Sequence, residues 1–358
     1  MKIHLFALAL ASAVPVSISS AQVLSPPPEV AAEVVKSDRY PTPQVAFPND
    51  AEGIPGLVYQ EPAGYRPLTL DLYLPAETVE PPDEGFPLVV YIHGGGWRGG
   101  DTRRSGAFVD FPGVLASLAA RGYVVASIEY RLSGEAVFPA AIQDVKAAIR
   151  WLRSQAATYG IDPKRAITWG VSAGGHLAAL AAASCNAKAL QPAQTMKSGA
   201  PDTRADTVGS SNASDCVQAG VSWYGVFDIS TIAAQARKEK ALSRDVADAP
   251  EWRLLGCFAS RCKKGRIASA SPVTYVEASA PPMLLVVGDR DTTVPYHQTL
   301  EMAEKLRAAG VPYELMVLPG IDHDLLGKTL EATRDANLKA LEATFLFIDR
   351  TMKRAPQQ

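Results

Sequence analysis

In the eight residues WGVSAGGH, Trp169 to His176, a serine stands between glycines in the order Gly170-Val171-Ser172-Ala173-Gly174. A serine hydroxyl attacks a carbonyl only when a base takes its proton, so Ser172 needs an imidazole and a carboxylate that orients it. The chain has 5 histidines, of which His4 lies in an apolar N-terminal stretch. His93 ends an apolar run and heads a glycine turn, His176 lies one helical turn past Ser172, and His297 falls on a helix after a Val-Pro pair. His323 is left, in LPGIDHD, on a loop between the last strand and the last helix. The stretch GDRDTTVP offers Asp289 and Asp291 as the carboxylate. Asp291 sits deeper in that loop and is preferred, while Asp289 suits capping of the turn.

An attacked carbonyl also needs donors for the negative oxygen that develops on it. HGGGWRGG, His93 to Gly100, supplies them: successive glycines let the N–H groups of Gly94 and Gly95 face a cleft, where the N–H of Ala173 joins them. A phosphate-cradling glycine loop would carry a lysine followed by Ser or Thr, which this stretch lacks. Trp97, Trp223 and Tyr224 are candidates for an acyl or aromatic pocket, with simple core packing as the alternative. Arg98 and Arg131 could meet a substrate carboxylate, although solvated surface positions suit them better.

Bringing these loops together requires elements that end side by side. RAITWG before Ser172 is a strand and HLAALAAAS after it a helix. PLVVYIH and YVVASIEY are nearly continuous apolar runs rich in β-branched residues, as expected of strands buried on both faces of a parallel sheet. LTLDLYLP, Leu68 to Pro75, alternates apolar and polar residues and is expected as an outer strand with one wet face. VQAGVSWYG, PMLLVVG and YELMVLPG supply further strands. Helical spacing recurs at Ile142, Val145, Ile149 and Leu152, from about Tyr296 to Ala309, and from about Lys328 to Met352. Alternation of this kind predicts an α/β fold, an open and mostly parallel sheet flanked by helices, with its chemistry at the carboxyl ends of the strands. The catalytic domain is expected over residues 57–352. It carries a lid insertion at about 229–270 and a long polar loop at 187–214, and a proline-rich extended arm over 22–56 precedes it.

Taken together, His93-Gly94-Gly95-Gly96-Trp97, Gly170 to His176, SWYGVFD from Ser222, SPVTYV from Ser271, GDRDTTVP from Gly288 and GIDHD from Gly320 resemble α/β-hydrolases of the HGGG esterase group. That group includes the hormone-sensitive-lipase-like and bacterial feruloyl-esterase-like enzymes, and the resemblance runs from about residue 57 to 350. It implies a serine hydrolase with Ser172, Asp291 and His323 as the triad, acting on a small-molecule ester without metal or organic cofactor. HGGGW also fits the turn of kynurenine formamidases, which opens aryl formamides as substrates, and peptidase-like amide cleavage is the other alternative within enzymes. Asp324-Leu325 stands where relatives often carry a glycine or an aromatic residue. A non-catalytic binding module of the same fold is a further alternative, although such proteins typically lose the serine or histidine.

With 35 basic against 37 acidic side chains and a net charge of -2, the chain has no basic run suited to nucleic acid. Residues 1–21 combine an early lysine, an apolar stretch from Leu5 to Val14, and Ser19 and Ala21 at cleavage-site spacing. They are expected to be a secretory signal, with the mature chain secreted or periplasmic and free of membrane spans. Export makes disulfides the expected state of the 4 cysteines, and spacing favours Cys257 with Cys262 and Cys185 with Cys216. The oligomeric state has no signature.

Overall fold

Strand β4 (Phe86–Ile92) has every residue buried, as a segment with no charged side chain in the middle of a sheet must. The computed structural model describes residues 43–352 except 186, 193–212 and 259. The expected signal, most of the arm and most of the 187–214 loop therefore lie outside the described residues. Around β4 a nine-stranded sheet runs in the order β1-β2-β3-β5-β4-β6-β7-β8-β9. The other strands are β1 (Val45–Ala46), β2 (Glu52–Gln60), β3 (Leu68–Leu74), β5 (Val124–Ile128), β6 (Ile161–Val171), β7 (Ala219–Trp223), β8 (Met283–Gly288) and β9 (Tyr313–Leu318). Pairs from β5 through β9 are parallel, while β1, β2 and β3 add antiparallel at one side.

Helices cover both faces: α1 (Phe111–Ala119), α2 (Ala140–Ser154), α3 (Ala156–Tyr159), α4 (Ala173–Ala183), α5 (Ile232–Glu239), α6 (Pro250–Leu255), α7 (Lys264–Ser269), α8 (His297–Ala308) and α9 (Leu330–Met352). Among the described residues no helix is long and apolar enough to cross a membrane. Two apolar clusters, one on each side of the sheet, form the core. The strand order reverses beside β4, so the carboxyl ends of β4 and β6 open the crevice where ligands of such sheets bind.

Two expectations are corrected. The expected boundary at residue 57 falls inside β2, which pairs with β3 from Glu52 onward. Pro55 and Gly56 disguise that strand, because the ladder shifts register between Ile54 and Leu57 to accommodate them. Strand β3 is interior, flanked by β2 and β5, and its polar Asp71 is buried rather than wet. The Asp71 carboxylate accepts from Gly56 N (2.8 Å), Thr102 Oγ1 (2.8 Å) and Arg103 Nε (2.7 Å), which satisfies it without solvent.

Both expected disulfides, Cys185–Cys216 and Cys257–Cys262, are formed. Beside the first, the fully buried Lys146 of α2 donates to Ser184 O at 3.0 Å and to the Asp215 carboxylate, which also accepts from Arg150 at 3.0 Å. Removing Lys146 takes from the buried Asp215 carboxylate one of its two cationic partners, so Lys146→Ala is expected to lower unfolding stability by about 3 kcal/mol. A shift of the urea midpoint with unchanged slope checks it.

Candidate active site

Ser172 occupies the single residue between β6 and α4, at φ 52° and ψ -118°. A side chain at positive φ is held only where the surroundings force it, and here they do. The Ser172 N–H donates to Trp223 O at 2.9 Å, while its carbonyl accepts from His176 N at 2.9 Å. The turn also demands glycine beneath it. A Cβ on Gly174 would lie 2.0 Å from Ile92 O, and one on Gly170 would lie 2.2 Å from Gly174 O. Since both obstacles are backbone, Gly174→Ala is expected to abolish soluble, active protein; native yield and residual hydrolysis measured side by side check this.

Asp291, on the loop after β8, is 4% exposed. Its Oδ1 accepts from Thr293 N (2.9 Å) and Val294 N (2.7 Å), which fixes the carboxylate, and its Oδ2 lies 2.7 Å from His323 Nδ1. A carboxylate only accepts, so Nδ1 carries the hydrogen and Nε2 is free to accept one. His323 Nε2 lies 2.9 Å from Ser172 Oγ. Asp322 ties the two loops together, its Oδ1 accepting from Thr292 N and from His323 N, each at 2.7 Å. Asp289 accepts from Gly320 N at 2.7 Å, the turn-holding role expected for it.

Burial pulls the His323 pKa down, but the hydrogen bond and charge of Asp291, with the charges of Asp324 and Asp322, outweigh it and hold the pKa above the ordinary histidine value of 6.5. A raised pKa keeps the ring protonated to higher pH, where it cannot accept the serine proton. The acid limb of kcat/KM is therefore expected to have its midpoint above pH 6.5, which a pH–rate profile checks.

The turn after β4 brings Gly94 and Gly95 to the same cavity, of about 550 Å³, that holds Ser172, Ala173 and His323. Gly95 adopts φ 106°, which turns its carbonyl away to accept from Arg98 N (3.0 Å) and Gly99 N (3.2 Å). Among the described residues the N–H groups of Gly94, Gly95 and Ala173 make no backbone hydrogen bond. Three donors thus stand beside a hydroxyl that a histidine can deprotonate, an arrangement able to stabilise an oxyanion.

The aromatic candidates sit differently from expectation. Trp223 and Tyr224 are each 1% exposed and do not line the cavity. Trp223 packs against Trp169 and donates its indole N–H to Thr344 Oγ1 at 2.9 Å. Tyr224 lays its ring against His323, with centroids 4.7 Å apart, and so backs the imidazole instead of contacting substrate. Trp97 borders the cavity but is 1% exposed, its indole turned toward His176. Arg131 does not border the cavity and is not a solvated residue: it pairs at 2.7 Å with the wholly buried Asp144. Arg98 does border the cavity, half-exposed and 3.5 Å from Asp248.

The other histidines are accounted for by packing. His93 stacks on Tyr130 at 4.4 Å, and His297 lies 2.8 Å from Glu239. Asp324 and Leu325 both take positive φ, 56° and 55°, a conformation that explains why a glycine would suit this place.

Sequence reasoning expected the 229–270 insertion as a lid but singled out none of the residues it contributes to the wall. Leu242, Arg244, Pro250 and Glu251 border the cavity, and Leu242 N donates to Thr292 O at 2.7 Å. Arg244 and Glu251 form a buried pair at 3.0 Å, and Arg244 also donates to Thr293 O at 2.8 Å beside Asp291. No local pattern announces such a pair, since only the folded insertion brings it over the site.

The sheet order, the serine at the β6–α4 turn and the histidine after β9 define an α/β-hydrolase fold. The chain belongs to the BD-FAE family, which matches residues 70–306; the dienelactone hydrolase family matches residues 265–352. It is 33% identical over 233 residues to the esterase LipQ of Mycobacterium tuberculosis, covering 64% of this chain and 48% of that protein. The chain thus spans about half that relative's length. An ethyl acetate hydrolase of Pseudomonas putida is 29% identical over 279 residues, covering 75% of this chain and 77% of that one. Among solved structures, esterase 2 of Thermogutta terrifontis phosphonylated by sarin is similar at a TM-score of 0.61 and 27% identity, covering 84% of this chain and 95% of that one.

Proposed function

We propose that the chain is an exported serine carboxylic-ester hydrolase working through an acyl-enzyme. The observation that carries this is the unbroken line from Asp291 Oδ2 to His323 Nδ1 (2.7 Å) and from His323 Nε2 to Ser172 Oγ (2.9 Å) beside a cavity. His323 takes the hydroxyl proton as Ser172 Oγ bonds to the ester carbonyl carbon. The carbonyl oxygen becomes an oxyanion that accepts from the N–H groups of Gly94, Gly95 and Ala173. Asp291 stabilises the imidazolium and holds its tautomer. The proton then passes from His323 to the leaving alcohol as the C–O bond breaks, and water repeats the sequence on the acyl-enzyme. The similar esterase 2 phosphonylated by sarin agrees with a site that such an electrophile can trap.

The acyl group is short. Val171, Val226 and Val294 border the cavity, among the described residues no Phe or Tyr does, and Trp97, which borders it, is 1% exposed and offers a feruloyl ring little face to stack on. The ethyl acetate hydrolase among the relatives agrees. Export rests on the N-terminal 21 residues and on the two disulfides, and N-terminal sequencing of secreted protein is expected to begin at Gln22.

A panel of p-nitrophenyl acetate, p-nitrophenyl butyrate, methyl ferulate and N-formyl-kynurenine tests the reading. The largest kcat/KM is expected on acetate. A preference for N-formyl-kynurenine would replace ester with formamide hydrolysis, and inactivity on all four would overturn the proposal.

A further inference from the structure

His176 is fully buried and stands one helical turn past Ser172, yet the proton transfers of the proposed reaction do not use it. Its Nε2 lies 2.7 Å from Ala270 O, and its Nδ1 lies 3.3 Å from the indole Nε1 of Trp97. A carbonyl only accepts and an indole N–H only donates. Nε2 therefore carries the hydrogen, and Nδ1 is the bare acceptor. Burial drives the pKa of this ring down to about 4, so the neutral form that can accept from Trp97 persists at neutral pH.

Trp97 is the residue whose conformation needs an explanation. It follows Gly94-Gly95-Gly96 directly and takes φ 56°, a region that side chains larger than Asn rarely enter. Such a conformation survives where its surroundings over-determine it. Two contacts do so here. Ser133 N donates to Trp97 O at 2.6 Å, and the indole is fixed edge-on to His176 with ring centroids 5.0 Å apart and planes at 89°. Through its backbone N–H, His176 also binds Ser172 O at 2.9 Å. One residue thus joins the serine turn, the glycine turn and Ala270 at the end of the 229–270 insertion.

We infer that His176 is a positioning residue for the oxyanion donors, acting through the Trp97 indole to hold the Gly94–Gly95 turn in place; this rests on the ester-hydrolase reading of the same site. Without an acceptor at Nδ1, the buried indole N–H is left unsatisfied and Trp97 loses one of the two contacts that hold its strained conformation. The N–H groups of Gly94 and Gly95 then lose their aim at the oxyanion. Ground-state binding of the ester, which does not depend on those donors, is little changed.

Three variants separate this from a generic packing role. His176→Asn would place an amide oxygen near the position of Nδ1, whereas the longer side chain of His176→Gln reaches toward the position of Nε2 and leaves the indole unpaired. Trp97→Phe removes the donor itself. For p-nitrophenyl acetate, H176Q and W97F are each expected to lower kcat by about 10- to 100-fold with KM within about twofold, because misaiming one oxyanion donor acts on the transition state. H176N is expected to stay within about threefold of the parent. The double variant W97F/H176Q is expected to be no slower than the slower single variant, since both changes break one contact. Equal losses in H176N and H176Q, multiplying losses in the double variant, or a change confined to KM would overturn the inference, as would parent-like rates in all variants. If the unmodified chain neither hydrolyses the ester nor reacts with a fluorophosphonate, the ester-hydrolase reading itself has failed.

Discussion

Ser172→Ala is expected to lower kcat for p-nitrophenyl acetate by about 10⁶-fold, the scale seen when a triad nucleophile is removed, and to leave only what the remaining site provides. The loss comes from chemistry and not from unfolding. Among the described residues the Oγ hydrogen-bonds to His323 Nε2 alone, and the turn is held by the backbone pairs of Ser172 with Trp223 and His176. The unfolding midpoint should therefore fall by no more than an exposed polar truncation would cost. Turnover at a rate comparable with the parent would remove Ser172 from the mechanism.

Asp291→Asn is expected to reduce kcat/KM by about 10⁴-fold, the cost of presenting the histidine with a donor that favours the wrong tautomer. A second signature distinguishes this from loss of structure. The Asp291 hydrogen bond and charge are the leading influences that raise the His323 pKa, and burial alone would lower it. With the carboxylate gone, the ring loses its proton at lower pH, so the acid limb of the residual activity should move toward acid relative to the parent. A variant profile that keeps the parent midpoint, or moves toward alkaline pH, would show that Asp291 does not govern this imidazole.

What sequence could disclose was the chemistry that depends on backbone shape. The turn at Ser172 requires glycines at 170 and 174 because carbonyl oxygens stand where their Cβ atoms would be, and that requirement is visible as a spacing. The same holds for the His93–Gly100 turn and for the choice of Asp291 over Asp289, which follows from depth in a loop. Directions of side chains set by tertiary packing were not legible. Trp223 and Tyr224 end a strand next to the site, but the core on the far side claims the first and the back of His323 the second.

Some polar residues misled because the fold satisfies them internally. Asp71 made β3 read as an outer strand, and Arg131 read as solvated although Asp144 holds it. Lys146 sits on a helix whose apolar stripe was legible, yet it is buried because the neck of the 187–214 segment supplies Asp215 and Ser184 O. Each of these partners comes from a distant part of the chain, so no window of sequence around the residue reveals it.

The central claim is that the Ser172 hydroxyl is the nucleophile and that His323 makes it one. Peptide mapping by mass spectrometry after treatment with a fluorophosphonate tests it most directly. The account predicts a single covalent adduct on the peptide containing Ser172, absent from Ser172→Ala and formed far more slowly in His323→Ala. An unlabelled parent protein, an adduct on a different residue, or undiminished labelling without His323 would contradict it.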